Sequence, residues 1–305
     1  MKKLLLSGLA ALCALAFTAC NKSSDNSNVV SFKLPTYNHF SSSTPGGSVS
    51  VAPASYTYTT EIPAFTVNMS GQDLSSPTGN FNFRTSEIGF KVKYYDFNGR
   101  DAEVISFSSA LPTENNVITD LKCQLTQMAY APGSAEVPGY KRFAPNDTFS
   151  YTVMSYRYNG MLVRTFWPDM TYKGLTVTQG VGMPGEFTNQ NMSYRVVMQR
   201  NDDNTLKNKA DLIFYNAMFA QGMPELTIVV KDLDLKFTNM GYELTGTNIS
   251  PYMVEGGELQ PAPRFVFNEI RFDASGDLTS ITGTYKVAGI YSGRFTGACI
   301  ETPNS

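Results

Sequence analysis

Along most of the chain apolar and polar residues alternate with a period of two, the spacing of a pleated strand with one face turned inward. Segments 48–51, 55–60, 64–68, 89–95, 102–107, 149–158, 161–166, 193–199, 264–272 and 278–287 follow it and are rich in Val, Ile, Thr, Tyr and Phe. Clusters of Gly, Pro, Asn, Asp and Ser separate them. No window of helical period has convincing length, so the expected fold is all-β. In SYTVMSYRYNGMLVRTFW, Asn159-Gly160 supplies the positive φ angles of a type I′ turn, and the alternating flanks predict a hairpin.

Two segments change parity midway. Leu226, Ile228 and Val230 share one face, whereas Leu233, Leu235 and Phe237 occupy odd positions; Phe265 and Phe267 give way likewise to Ile270 and Phe272. To keep its apolar side inward across such a switch, a strand needs a bulge or a corner, the device by which closed or strongly coiled sheets bend. The densest Pro/Gly stretch, 131–139, divides the chain into two antiparallel β domains, 29–137 and 138–305. GGSVSV, FTVNMSGQ and FNFRTSEIGFKV faintly echo GLTVTQ, LIFYNAMFAQ and ELTIVVKDLDLKF in the second half, with drifting spacing. A single many-stranded sandwich is the alternative.

The first 28 residues follow other rules. Lys2 and Lys3 precede an apolar run, 4–17, that has the length of a secretion signal and is too short to span a bilayer. The run ends Phe17-Thr18-Ala19-Cys20, which resembles the lipobox of bacterial lipoproteins, with Phe where Leu is commonest. That resemblance implies removal of residues 1–19 and acylation of Cys20; a plain secretory signal cut near Ala19 is the alternative. Residues 20–28 read as a polar tether, and a multiply acylated cysteine anchors stably where a single chain does not. The membrane is therefore the expected first partner. Asn21 stands where an inner-membrane retention signal would place Asp, which points to the outer membrane. The whole leader resembles those of Bacteroidetes lipoproteins, in which a Lys and acidic residues after the cysteine resemble a surface-export signal. Only Lys22 and Asp25 are present here, so the cell surface and the periplasmic face both stay open.

A second resemblance lies in KADLIFYNAMFAQGMPELTIVVKDLDLKFTNMGYEL, followed by NISPYMVEGG and a hairpin closing at 285–289. This is similar to the C-terminal region of uncharacterised Bacteroidetes outer-membrane lipoproteins with a calycin-like β-barrel domain of unassigned function. The resemblance implies a calycin-like barrel or strongly coiled sandwich in 138–305 and no residue-level mechanism. Barrels of that kind commonly enclose a small ligand.

Cleavage after residue 19 would leave 286 of 305 residues, with 22 basic and 26 acidic side chains once the two leader lysines are gone, a net charge near −4. Without a basic stripe, nucleic acid is not an expected partner. Of four cysteines, Cys13 leaves with the leader and Cys20 is the lipid site. Leu121, Cys123 and Leu125 share a strand face, so Cys123 reads either as an inert buried thiol or as half of a Cys123–Cys299 disulfide, permissible in an oxidising envelope compartment.

Candidate chemistry is sparse. The single histidine, His39, precedes a Ser/Pro/Gly-rich run and is expected in a solvated loop, leaving no paired-histidine zinc site. The chain carries no GxSxG elbow, phosphate loop, HExxH or CxxC, so neither an enzyme nor a cofactor or metal site is expected. Asp232 and Asp234 share one side of a strand, a spacing that fits the paired carboxylates of a glycosidase and equally fits a wet strand face beside Lys236. The run 201–204, Asn-Asp-Asp-Asn, reads as a hairpin loop without the further ligands of a calcium loop, and Glu255-Gly256-Gly257-Glu258 as a turn. Trp167, the single tryptophan, reads as a core cap at a strand end or as a stacking platform for a sugar. Met218, Met223, Met240 and Met253 could line an adaptable apolar pocket or fill core. The expectation is a lipid-anchored envelope protein binding a small apolar molecule or a glycan, the alternative a non-catalytic structural or adhesive surface lipoprotein. Bacteroidetes fimbrial subunits share such a leader, but they resemble one another in a cleavage site after an early Arg, and here the first is Arg84, inside the apparent strand 81–84.

Overall fold

The structure, a computed structural model, describes backbone strands between residues 29 and 158, residues 137–140, and the chain over 161–275 and 278–299. Side chains are described for most of 161–299 and, earlier, at Tyr37, His39, Ser41, 49–51, 137–140, Ser155 and Arg157.

The first eleven strands are β1 (Val29–Ser31), β2 (Thr36–Ser41), β3 (Val49–Glu61), β4 (Ala64–Gly71), β5 (Asn80–Thr85), β6 (Lys91–Asp96), β7 (Asp101–Ser106), β8 (Leu111–Pro112), β9 (Val117–Ala129), β10 (Thr148–Tyr158) and β11 (Met161–Phe166). They form one antiparallel sheet in the order β5-β4-β3-β2-β11-β10-β9-β7-β6, with β1 beside β3 and β8 beside β9. The Asn-Gly hairpin is present: Tyr158 pairs with Met161, and its two turn residues lie outside the described residues. This hairpin pairs back onto β9 and forward onto β2, so the change of sheet falls at Trp167-Pro168 and not in the Pro/Gly run 131–139. Pro168 lacks the amide a continuing ladder would need, which suits the crossing.

The second sheet comprises β12 (Asp169–Gly180), β13 (Phe187–Asn189), β14 (Ser193–Arg200), β15 (Leu206–Ala217), β16 (Leu226–Thr238), β17 (Gly241–Ile249), β18 (Tyr252–Glu255), β19 (Glu258–Pro261), β20 (Phe267–Ser275), β21 (Ser280–Val287) and β22 (Tyr291–Cys299). Strands β12, β14, β15, β16, β17, β20, β21 and β22 each pair antiparallel with the next, and β22 returns to β12. The result is an eight-stranded, closed up-and-down barrel, the architecture expected of a calycin-like domain. Strand β13 flanks β12, and the β18–β19 hairpin pairs with the first half of β16.

Both parity switches are bulges. Ala210 pairs with Leu233 and Leu212 with Val230, so Lys231 and Asp232 together oppose Asp211, and Asp232 takes a φ of 60°. The extra residue keeps Ile228 and Val230 before it, and Leu233 and Leu235 after it, in the core. On β20 the register slips by one between Phe267 and Glu269, returning Ile270 and Phe272 to the interior.

Aromatic rings fill the barrel. Tyr194 lies 4.1 Å from Phe295 and 4.9 Å from Phe214, centroid to centroid, and Phe214 lies 5.1 Å from Phe267. Two of the rings lie over glycines of the adjacent strand. A Cβ placed on Gly283 would sit 2.4 Å from the Phe272 ring, and one on Gly293 would sit 2.1 Å from that of Tyr285. An aromatic ring laid across a glycine is how a tightly curved sheet recovers the contact the missing side chain gives up. One mouth is closed by Phe219, stacked 5.8 Å from Tyr291, and the other by Tyr37, Phe166 and Trp167, all buried in the same cluster. With Phe272 fully buried among rings, Gly283→Ala should cost about 1–3 kcal/mol through overpacking. A lower urea midpoint at unchanged m value would be the signature; a neutral substitution would mean that the interior has slack.

Candidate functional site

The residues singled out from the sequence do not converge. Cys20 lies outside the described residues. Cys299 ends β22, buried in the barrel core, whereas Cys123 stands on β9 opposite Met154, with its side chain outside the described residues. Trp167 is fully buried in the core cluster, where its indole is not offered to solvent. Met223 and Met253 pack against that core at one end of the barrel, while Met240 is exposed in the turn after β16 at the other. The four methionines, adjacent in sequence, therefore line no common pocket.

His39 corrects its expectation most clearly: it belongs to β2 and is fully buried. Alternate residues of that strand, Tyr37, His39 and Ser41, all turn inward, so the polar run that follows misled the reading. Its ring lies 5.9 Å from Phe237, and its Nε2 lies 2.8 Å from the Thr238 carbonyl oxygen.

Asp232 and Asp234 lie exposed on the outer face, and each already has a partner. Gln199 Nε2 donates to Asp232 Oδ1 at 2.9 Å, and Lys209 Nζ donates to Asp234 Oδ1 at 2.6 Å and to the Asp232 carbonyl at 3.1 Å. The lysine that bonds the pair is Lys209, across the ladder, while Lys236 is exposed two residues further along the same strand. Among the described residues no three His, Cys, Asp or Glu side chains gather as a metal site.

Sequence spacing gave no sign of a polar cluster on the outside of β14 and β15. Arg195 Nε donates to Asp169 Oδ1 at 2.6 Å and Nη2 to Oδ2 at 2.5 Å, a two-pronged pair with both side chains 2% exposed or less. Burial alone would make Arg195 release its proton more easily, but the Asp169 carboxylate outweighs it and holds Arg195 above its ordinary pKa. Asp211, also buried, accepts from Tyr140 Oη at 2.7 Å, from Gln199 at 2.9 Å and from the Asp232 bulge amide at 2.8 Å. Burial, and then acceptance by Asp211, pushes the Tyr140 hydroxyl well above its usual range. The segment 137–140, turned by Gly139 at a φ of 83°, is strapped to the barrel by these bonds and by an apolar cluster of Val137, Ile213, Tyr215 and Val229.

Beside this strap lies a shallow groove of about 580 Å³, open to solvent and lined by Met198, Gln199, Arg200, Asn201, Asp202, Asn204 and Lys207. It follows the β14–β15 hairpin, whose loop includes the expected 201–204 run. That loop is rigidly built. Thr205 donates to Asp203 Oδ1 through its amide at 2.9 Å and its hydroxyl at 2.6 Å, and Asn204 takes a φ of 65°. Tyr37 Oη of the first sheet donates to the Asn204 carbonyl at 2.7 Å, so the groove borders the junction of the two sheets. Amide, guanidinium, ammonium and carboxylate groups on a fixed loop can hydrogen-bond a polar ligand. No nucleophile and base are paired there.

Comparison with known protein families, with curated proteins and with solved structures finds no match for the chain. The outer cluster yields a stability test. Asp169→Leu, which strands the Arg195 charge in a buried site, should cost about 3–5 kcal/mol, whereas Asp169→Leu with Arg195→Met should recover most of the loss. Equal losses in the single and double variants, measured by urea unfolding, would show that the pair is not buried in solution.

Proposed function

We propose that the protein is a lipid-anchored, non-catalytic binding protein of the bacterial cell envelope, and that its ligand is held on the outside of the barrel and not within it. The ring-filled interior carries this reading, because an eight-stranded barrel has room either for its own side chains or for one small ligand. Of the two ligand classes the sequence suggests, a glycan or other hydroxyl-rich molecule is favoured over an apolar one. The groove of Gln199, Arg200, Asn201, Asp202, Asn204 and Lys207 is polar, and its loop is preorganised. The leader ending in Cys20 supports the anchor. A structural or adhesive role is the second reading, since a filled barrel also serves as a stiff spacer.

Two measurements test this function. Cys20→Ala should move the protein from the membrane to the soluble fraction and abolish labelling by an alkyne fatty acid; continued membrane retention and labelling would contradict the anchor. In titrations with envelope polysaccharide fragments, Lys207→Ala with Asp202→Ala should weaken binding at least about tenfold, roughly 1.4 kcal/mol, at an unchanged Tm. Binding unaffected by these exposed substitutions would exclude the groove, and failure of every glycan class would favour the structural reading.

A further inference from the structure

β2 reaches the barrel at one mouth. Tyr37 Oη meets the Asn204 carbonyl of the β14–β15 loop, and His39 Nε2 meets the Thr238 carbonyl at the end of β16. A carbonyl can only accept, so Nε2 carries the hydrogen and Nδ1 is left with a lone pair. Nδ1 is buried without a hydrogen-bond partner. A proton added there would place a positive charge and an unsatisfied donor in an apolar junction, between Phe237 on β16 and the sheet that carries Val51 and Arg164 as the cross-strand partners of His39. Phe237, Thr238 and Val51 are uncharged. Arg164 is the charged group that bears on the ring among the described residues, and it repels the imidazolium.

We propose that His39 is an acid-operated latch, whose protonation releases β2 and β11 from the barrel mouth while the barrel strands stay paired. Release would uncover the rings beneath, because Tyr37 stacks on Phe166 at 5.7 Å and Phe166 lies 5.5 Å from Phe237. The latch does not rest on the glycan reading: its only tie to the groove is the bond from Tyr37 to the Asn204 backbone carbonyl, and His39, the residue it turns on, lies outside the groove lining.

Burial first, and repulsion by Arg164 in addition, pull the His39 pKa from 6.5 to about 4 against the opposing bond to Thr238. A released ring titrates near 6.5, so between those two values the released form binds more protons than the docked one. Docking is therefore at full strength above about 6.5 and weakens as the pH falls toward about 4.

Trp167, the single tryptophan, is fully buried directly after β11 and reports on the junction. On the full chain in detergent, acidification across this window should shift its emission reversibly to the red while the far-UV circular dichroism of the strands is unchanged. His39→Gln keeps a donor for the Thr238 carbonyl and cannot titrate, so it should abolish the shift. NMR of the single histidine gives a second readout in the unaltered protein, with a ring pKa well below 6.5 and a transition coincident with that of Trp167. The latch is overturned if His39 titrates at its ordinary value, if emission and circular dichroism change together, or if His39→Gln retains the transition.

Discussion

An eight-stranded barrel has an inside just wide enough for one layer of side chains, and the rest of this structure follows from how that space is filled. Tyr194, Phe214, Phe267, Phe272, Tyr285 and Phe295 occupy it, and the rings of Phe272 and Tyr285 lie over Gly283 and Gly293 on the adjacent strands. Large rings and inward glycines are complementary. A strand without its side chain accepts the ring of a neighbour, and the barrel closes at the density of a packed core.

A closed barrel of strongly curved strands needs places where the ladder gives way. The bulge at Lys231-Asp232 is stabilised from outside, because the carboxylate of Asp211 accepts the amide that the bulge leaves unpaired. The same carboxylate holds Tyr140, so the device that bends the barrel also straps the preceding segment to its wall. Buried charge is thereby confined to the outer layer, where Asp169 and Arg195 satisfy one another, while the interior stays largely apolar.

The sequence made legible whatever depends on local pattern. Alternation located strands, Asn159-Gly160 marked a hairpin, and the change of parity within β16 and β20 located both bulges. Strand β15 was hidden because its residues 210–215 are buried on both faces, one by the barrel and the other by the strap, so they do not alternate. His39 was misplaced because the polar residues after it describe a loop, while its own burial is set by strands far away in sequence. The Asp211 hub was invisible for the same reason. Its partners Tyr140, Gln199 and Asp232 meet only through the closure of the sheet.

The filled interior is the premise of the outer-surface binding proposed for this protein. Native mass spectrometry of the full chain, purified from its native cells at neutral pH, tests this most directly. The chain should appear at its own mass, plus the acyl groups proposed for Cys20, with no other small molecule retained. A stoichiometric apolar ligand that survives dilution and gentle ionisation would show that the rings part to admit a guest, and would contradict the account.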